Sequence, residues 1–212
     1  MRVPLYAMEP RNVPLLQRTP CVFLLRNFYA VLASAYFEAA YRGRLVEPDP
    51  EKFLTGVRHG VMHLITYFNS WIELAEHLPS VTYFSYEALK SNTREELEKL
   101  VRVLNLPVRS DLLDQTVQAG GFENMKKLAA SEAYQGTVLS PTDPGDPRSA
   151  KVRSGKASSY RDVFSKAQLE FVAEMIDRFF IGRDDSRFTS CIQLDGGSAK
   201  EGHVLPNQPG ER

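Results

Sequence analysis

Arg26 stands directly after five consecutive apolar residues, Cys21-Val22-Phe23-Leu24-Leu25, and directly before a run of helix formers. At a strand-to-helix turn the free backbone N–H groups, the positive end of the helix dipole and a guanidinium converge, which suits an anion. Ser34, about two helical turns on, offers a hydroxyl beyond them. The plainer reading is an arginine that ends a strand and pairs with a surface carboxylate. A second candidate is Lys151-Val152-Arg153-Ser154-Gly155-Lys156-Ala157-Ser158-Ser159-Tyr160-Arg161, four cations without an acid in an otherwise balanced chain. Its glycine, flanked by cations and small hydroxyl residues, can turn successive N–H groups around a phosphate while Arg153 clamps it from the side. A solvated basic loop is the alternative, and the aromatics Tyr160 and Phe164 favour a packed one. Tyr86 and Phe122, at an expected strand end and an expected helix start, could stack on a purine or simply fill the core. His59 and His63 have the i, i+4 spacing of a metal pair, but no Glu lies between them in the zincin pattern and no third ligand is evident, so no metal is expected. His77 and His203 receive no role.

The elements that must position these residues alternate. Cys21–Leu25 reads as a central strand buried on both faces, which calls for a parallel sheet. A helix is expected over Phe28–Tyr41, stopped by Gly43, and a longer one over Glu51–His77, closed by Pro79. Ser80–Tyr86 is β-branched and aromatic enough for a second strand, and Thr93 with Glu96 forms a capping box for the helix that follows. Shorter helices are expected over 112–119 and 122–133. Residues 134–150 hold three prolines and two glycines in a loop long enough for a functional lid or a flexible linker. Ser165 and Gln168 cap a helix that runs to Phe180. From Gly182 the chain turns polar and Gly-rich and is expected to be mostly disordered.

Composition narrows the function classes. In 212 residues, 26 Lys plus Arg balance 26 Asp plus Glu, so no global field attracts nucleic acid or an anionic membrane and any anion site must be local. No apolar run reaches the roughly 20 residues of a membrane-spanning helix, and the N-terminus lacks the apolar stretch of a secretory signal. A cytoplasmic protein is expected. Cys21 and Cys191 fit neither a metal spacing nor a disulfide framework and are read as free thiols.

Taken together, these segments resemble the cytosolic-type sulfotransferases, which transfer the sulfuryl group of 3′-phosphoadenosine 5′-phosphosulfate to hydroxyl or amine acceptors. The family run Arg-Asn-Pro-x-Asp-x-x-x-Ser is matched at Arg26, Asn27 and Ser34 but not at its Pro and Asp. Phe53, Gly56, Gly60, His63 and Trp71 follow in family-like order, then Tyr86-Glu87-Ala88-Leu89-Lys90 and Phe122-Glu123-Asn124-Met125. The family's Arg-Lys-Gly-x-x-Gly-x-Trp-Lys-Asn-x-Phe corresponds to residues 153–164. Degenerate motifs in the correct order are jointly far more specific than any one alone. The resemblance implies an α/β fold, a P-loop-like parallel sheet flanked by helices and incomplete at its N-terminal side. It assigns Arg26, Ser34, Arg153, Ser154 and Gly155 to the 3′-phosphate and Tyr86 and Phe122 to the adenine. It also implies a small-molecule acceptor, no metal, and a domain over 1–181 followed by a polar tail over 182–212.

The family's Pro-Lys-Ser-Gly-Thr-Thr-Trp loop, whose Lys neutralises charge developing on the bridging oxygen, has no counterpart here, and no histidine precedes His59. The expectation is therefore either a start upstream of Met1 or a member that binds the nucleotide, or a protein partner, without catalysis. The family's Lys-x-x-x-Thr-Val dimer pattern is poorly matched at 161–166, leaving the oligomeric state open.

Overall fold

The computed structural model describes residues 13–131, 134, 137, 140–152 and 159–194. A one-turn helix α1 (Val13–Leu16) leads into strand β1 (Cys21–Leu25), and helix α2 (Phe28–Phe37) continues into a π-helical turn over Glu38–Arg42. Helices α3 (Pro50–Thr55) and α4 (Val61–Ala75) cross over to strand β2 (Val81–Ser85). Four helices follow: α5 (Tyr86–Ser91), α6 (Thr93–Val103), α7 (Ser110–Ala119) and α8 (Phe122–Ala130). The 3₁₀ turns Pro147–Ser149 and Ser159–Asp162 precede α9 (Lys166–Phe179) and the short α10 (Thr189–Ile192).

Among the described residues the sheet is a parallel pair, β1 beside β2, in register from Cys21 opposite Val81 to Leu25 opposite Ser85. The expectation of a strand buried on both faces does not hold for this pair. Phe23 and Leu25 turn inwards, Phe23 against Phe68 and Trp71, whereas Val22 and Leu24 remain 39% and 49% exposed on the opposite face. A continuous apolar run conceals the period-2 alternation that burial reveals.

The core lies between α2, α4 and α9. Phe28, Tyr29, Leu32, Ile65 and Val172 are almost wholly buried there, and the ring of Phe28 packs 5.1 Å from that of Phe68. Such a packed ring stabilises by about 3–5 kcal/mol relative to Ala. Where one helix is expected over 51–77, two form, because the chain folds back on itself at Gly60. A Cβ there would meet the carbonyl oxygen of Leu54 at 2.3 Å and those of Phe53 and Gly56 at 2.6 Å, so only glycine permits the approach. The apolar period runs in phase across the break, which is why spacing alone reads it as continuous.

The capping box at Ser165 and Gln168 forms in both directions: the Gln168 N–H donates to Ser165 Oγ (3.3 Å) and the Ser165 N–H to Gln168 Oε1 (2.9 Å). The one expected at Thr93 does not. Helix α6 begins at Thr93 itself, and the Glu96 carboxylate, buried, accepts from Lys99 Nζ at 2.6 Å instead. The expectation of disorder from Gly182 also fails over 182–194, where Phe188 and Cys191 are buried in the core. Two apolar anchors spaced three apart in a polar stretch carry too little pattern to be recognised in sequence. The rest of that tail, from 195, lies outside the described residues.

Candidate functional site

Because Leu25 and Ser85 are register partners, the chain leaves both strands at the same edge, and the next residues, Arg26 and Tyr86, emerge together. The Arg26 guanidinium lies over the Tyr86 ring, Cζ 4.4 Å from its centroid. Its Nε is shielded from solvent and meets no hydrogen-bond acceptor, and among the described residues no carboxylate pairs with Arg26. The strand-end arginine is thus not spent on a surface ion pair. A shielded guanidinium N–H without an acceptor costs free energy, of the order of 1–3 kcal/mol, that an anion would recover.

Asn27 and Glu87 hold this turn; both lie in the family-like runs, but neither receives a functional role from sequence. The Asn27 side chain caps α2 by accepting from the Ala30 N–H (3.1 Å), and its Nδ2 donates to the Gln193 carbonyl (2.9 Å). Its own N–H donates to Glu87 Oε1 (3.0 Å), while Glu87 Oε2 accepts from Ser85 Oγ (3.2 Å). One carboxylate therefore links the ends of both strands. The available signals were an N-cap residue type ahead of a helix and an acid next to the site tyrosine.

Ser34 is exposed on α2. One turn further along the same face, Glu38 pairs with Lys151 (Oε2 to Nζ, 3.0 Å). Residues i and i+4 on a helix lie about 6 Å apart. Arg153, Ser154 and Gly155 fall outside the described residues, but both flanks of that segment rest on α2 and its π-helical extension. Lys151 does so through Glu38, and Tyr160 through its ring, 5.5 Å from that of Tyr29. Burial, with a further contribution from Tyr160, pushes the Tyr29 hydroxyl up to about 12, so it stays neutral and serves packing. The Leu194 carbonyl accepts from the Tyr160 hydroxyl and from Arg161 Nη2, so the C-terminal segment spans from Asn27 to the 159–162 turn. Phe122 begins α8 at 37% exposure, and no hydrogen bond or ring contact among the described residues joins it to Tyr86 or Arg26.

A parallel strand pair with a helix N-terminus, an arginine without a carboxylate partner among the described residues and an aromatic ring at its carboxyl edge is the arrangement of an open α/β fold, in which the crevice outside the strand ends is the general place for a ligand. Residues 12–184 match the family model described as sulfotransferase domain, and the chain belongs to that family. Sulfotransferase 1A1 of Canis lupus familiaris is 30% identical over 162 residues, covering 73% of this chain and 52% of that protein. Sulfotransferase 1A1 of Bos taurus is 30% identical over 172 residues, covering 77% and 55%. The chain spans about half the length of the curated relatives it matches. Among solved structures, mouse sulfotransferase SULT7A1 complexed with PAP superposes with a TM-score of 0.66 at 20% identity, over 88% of this chain and 66% of that one, a likeness of fold. No helix among the described residues is long and apolar enough to cross a membrane.

Proposed function

We propose that this chain binds the 3′-phosphoadenosine end of 3′-phosphoadenosine 5′-phosphosulfate and positions it for sulfuryl transfer to a small hydroxyl or amine acceptor. The observation that carries the reading is Arg26, whose Nε, at the N-terminus of α2, is shielded and without an acceptor among the described residues. In this reading Arg26 and Ser34 take one side of the 3′-phosphate, Arg153, Ser154 and Gly155 the other, and Tyr86 and Phe122 the adenine. The ion pair of Lys151 with Glu38, one helical turn from Ser34, supports the closing of the two stretches on one ester. From Lys151 the chain needs at most about 7 Å to reach residue 153. Cation–π contact with Tyr86 fixes the guanidinium, so less rotamer entropy is lost when an anion binds.

The transfer itself is displacement at sulfur: the acceptor oxygen or nitrogen bonds to sulfur, the bond to the 5′-phosphate oxygen breaks, and the acceptor proton is released. This chain's described residues supply positioning and charge neutralisation to that step. Calorimetric titration tests the reading with adenosine 3′,5′-bisphosphate against adenosine 5′-monophosphate. The bisphosphate should bind, the monophosphate much more weakly, and Arg26→Ala should cost about 1.5–3 kcal/mol, the range for a hydrogen bond to a charged group. Equal affinity for the two nucleotides, or an unaffected Arg26→Ala variant, defeats it.

A further inference from the structure

Among the described residues the two most exposed large apolar side chains are Val57 (88%) and Leu45 (67%), and both line one cleft of about 330 Å³. Single apolar side chains on a surface need no explanation, but two that share a concavity do. Val46 and the core residue Phe53 continue the wall between them, so the cleft is apolar within. Both lips are shaped by constrained backbone. On one, Arg44 takes a left-handed conformation, φ 49°, and the Leu45 N–H donates to the Ala39 carbonyl at 2.7 Å. A residue other than glycine, Asn or Asp holds that conformation only where its surroundings impose it. On the other lip, the Gly56 N–H donates to the Phe53 carbonyl (3.1 Å) and the Gly60 N–H to the Gly56 carbonyl (3.0 Å). They close a turn that the crowded Gly60 fixes, with Val57, Arg58 and His59 at its tip. The apolar side chains are thus presented from preformed positions, which lowers the ordering cost of binding.

The charge around the cleft is one-sided. Its polar side chains are Lys52, Arg58 and His59, with no carboxylate among them. The neighbouring acids are engaged: Glu47 accepts from Lys52 Nζ at 2.6 Å, and Asp49 caps α3 by accepting from the Glu51 and Lys52 N–H groups. Arg58 is exposed and makes no ion pair among the described residues, and half-buried His59 adds a ring N–H beside it. We infer that this cleft binds a small organic anion, its aromatic or aliphatic body seated over Phe53 between Leu45 and Val57 and its carboxylate or sulfate on Arg58 and His59. The volume lies at the low end for small-molecule sites, which suits a body of about two rings. Arg26, Ser34, Tyr86 and Phe122 do not line the cleft, so this site is additional to the nucleotide crevice.

Calorimetric titration of the full 212-residue chain with 2-naphthoate, against the uncharged 2-naphthamide, gives the test. Naphthoate should saturate a single site, and the amide should bind about fivefold or more weakly for want of a charged hydrogen bond. Arg58→Glu should weaken naphthoate about tenfold as attraction becomes repulsion, and Val57→Ser about threefold through lost apolar contact. Both side chains are exposed, so neither substitution strands a buried group, and thermal unfolding should match the wild type. The inference is overturned if naphthoate fails to saturate, binds no better than the amide, or is indifferent to Arg58→Glu. Displacement of naphthoate by adenosine 3′,5′-bisphosphate would also overturn it, by placing the anion in the nucleotide crevice.

Discussion

Glu87 is the residue on which the geometry of the strand ends turns, and removing its carboxylate has a magnitude that can be worked out. The Asn27 N–H, in a residue only 6% exposed, has Glu87 Oε1 as its acceptor at 3.0 Å. In Glu87→Ala that donor is stranded, at a cost of about 1–3 kcal/mol, and the Ser85 hydroxyl loses an acceptor as well. For a chain of this size each kcal/mol lowers the melting temperature by roughly 2–4 °C, so a fall of about 4–8 °C is expected for a 2 kcal/mol loss. Glu87→Gln keeps a carbonyl oxygen for Asn27 and should recover most of it. Thermal unfolding followed by circular dichroism gives the stability, and calorimetry with adenosine 3′,5′-bisphosphate gives the second reading. As the β1–α2 turn loosens, Arg26 should drift from Tyr86 and affinity should fall in Glu87→Ala more than in Glu87→Gln. If Glu87→Ala melts within a degree of the wild type, the carboxylate is not what joins the strand ends, and the reasoning fails.

Two further outcomes follow from the C-terminal segment. Cys191 is buried and its thiol is pushed up to about 12 by burial first and by Glu87 second, so the native chain should show one slowly reacting and one inert thiol toward a disulfide reagent at pH 8, with both reacting in denaturant. Two equally fast thiols in the native state would contradict the packing of α10. Asp185 accepts from Arg187 at 2.5 Å, and that bond holds its carboxyl below the ordinary range. A depressed folded-state pKa stabilises above the unfolded value near 3.8 and is lost as pH falls through the folded one. Asp185→Asn should therefore cost about 0.5–1 kcal/mol at pH 7 and progressively less below pH 4 in urea unfolding; a constant difference would rule the ion pair out.

Type and spacing alone determined a good deal: the two strands, most of the helices, the Ser165 capping box, the place of Arg26 and Tyr86 at the strand ends, and the family motifs in their order. These features are local, because a strand, a helix cap or a strand-to-helix turn is specified by residues within a few positions of one another. Tertiary structure decided what depends on approach between distant segments. That Arg26 has no carboxylate partner among the described residues and lies against Tyr86 follows from strand register, which joins residues sixty positions apart. The break at Gly60 follows from backbone carbonyls that fold back on it, the anchoring of 140–151 from the buried Arg42 guanidinium with contacts to Glu38 and Tyr41, and the order of 182–194 from two side chains that find the core. None of these leaves a periodic trace, since each is one contact made once, and a contact across a hundred residues is fixed by packing and not by pattern.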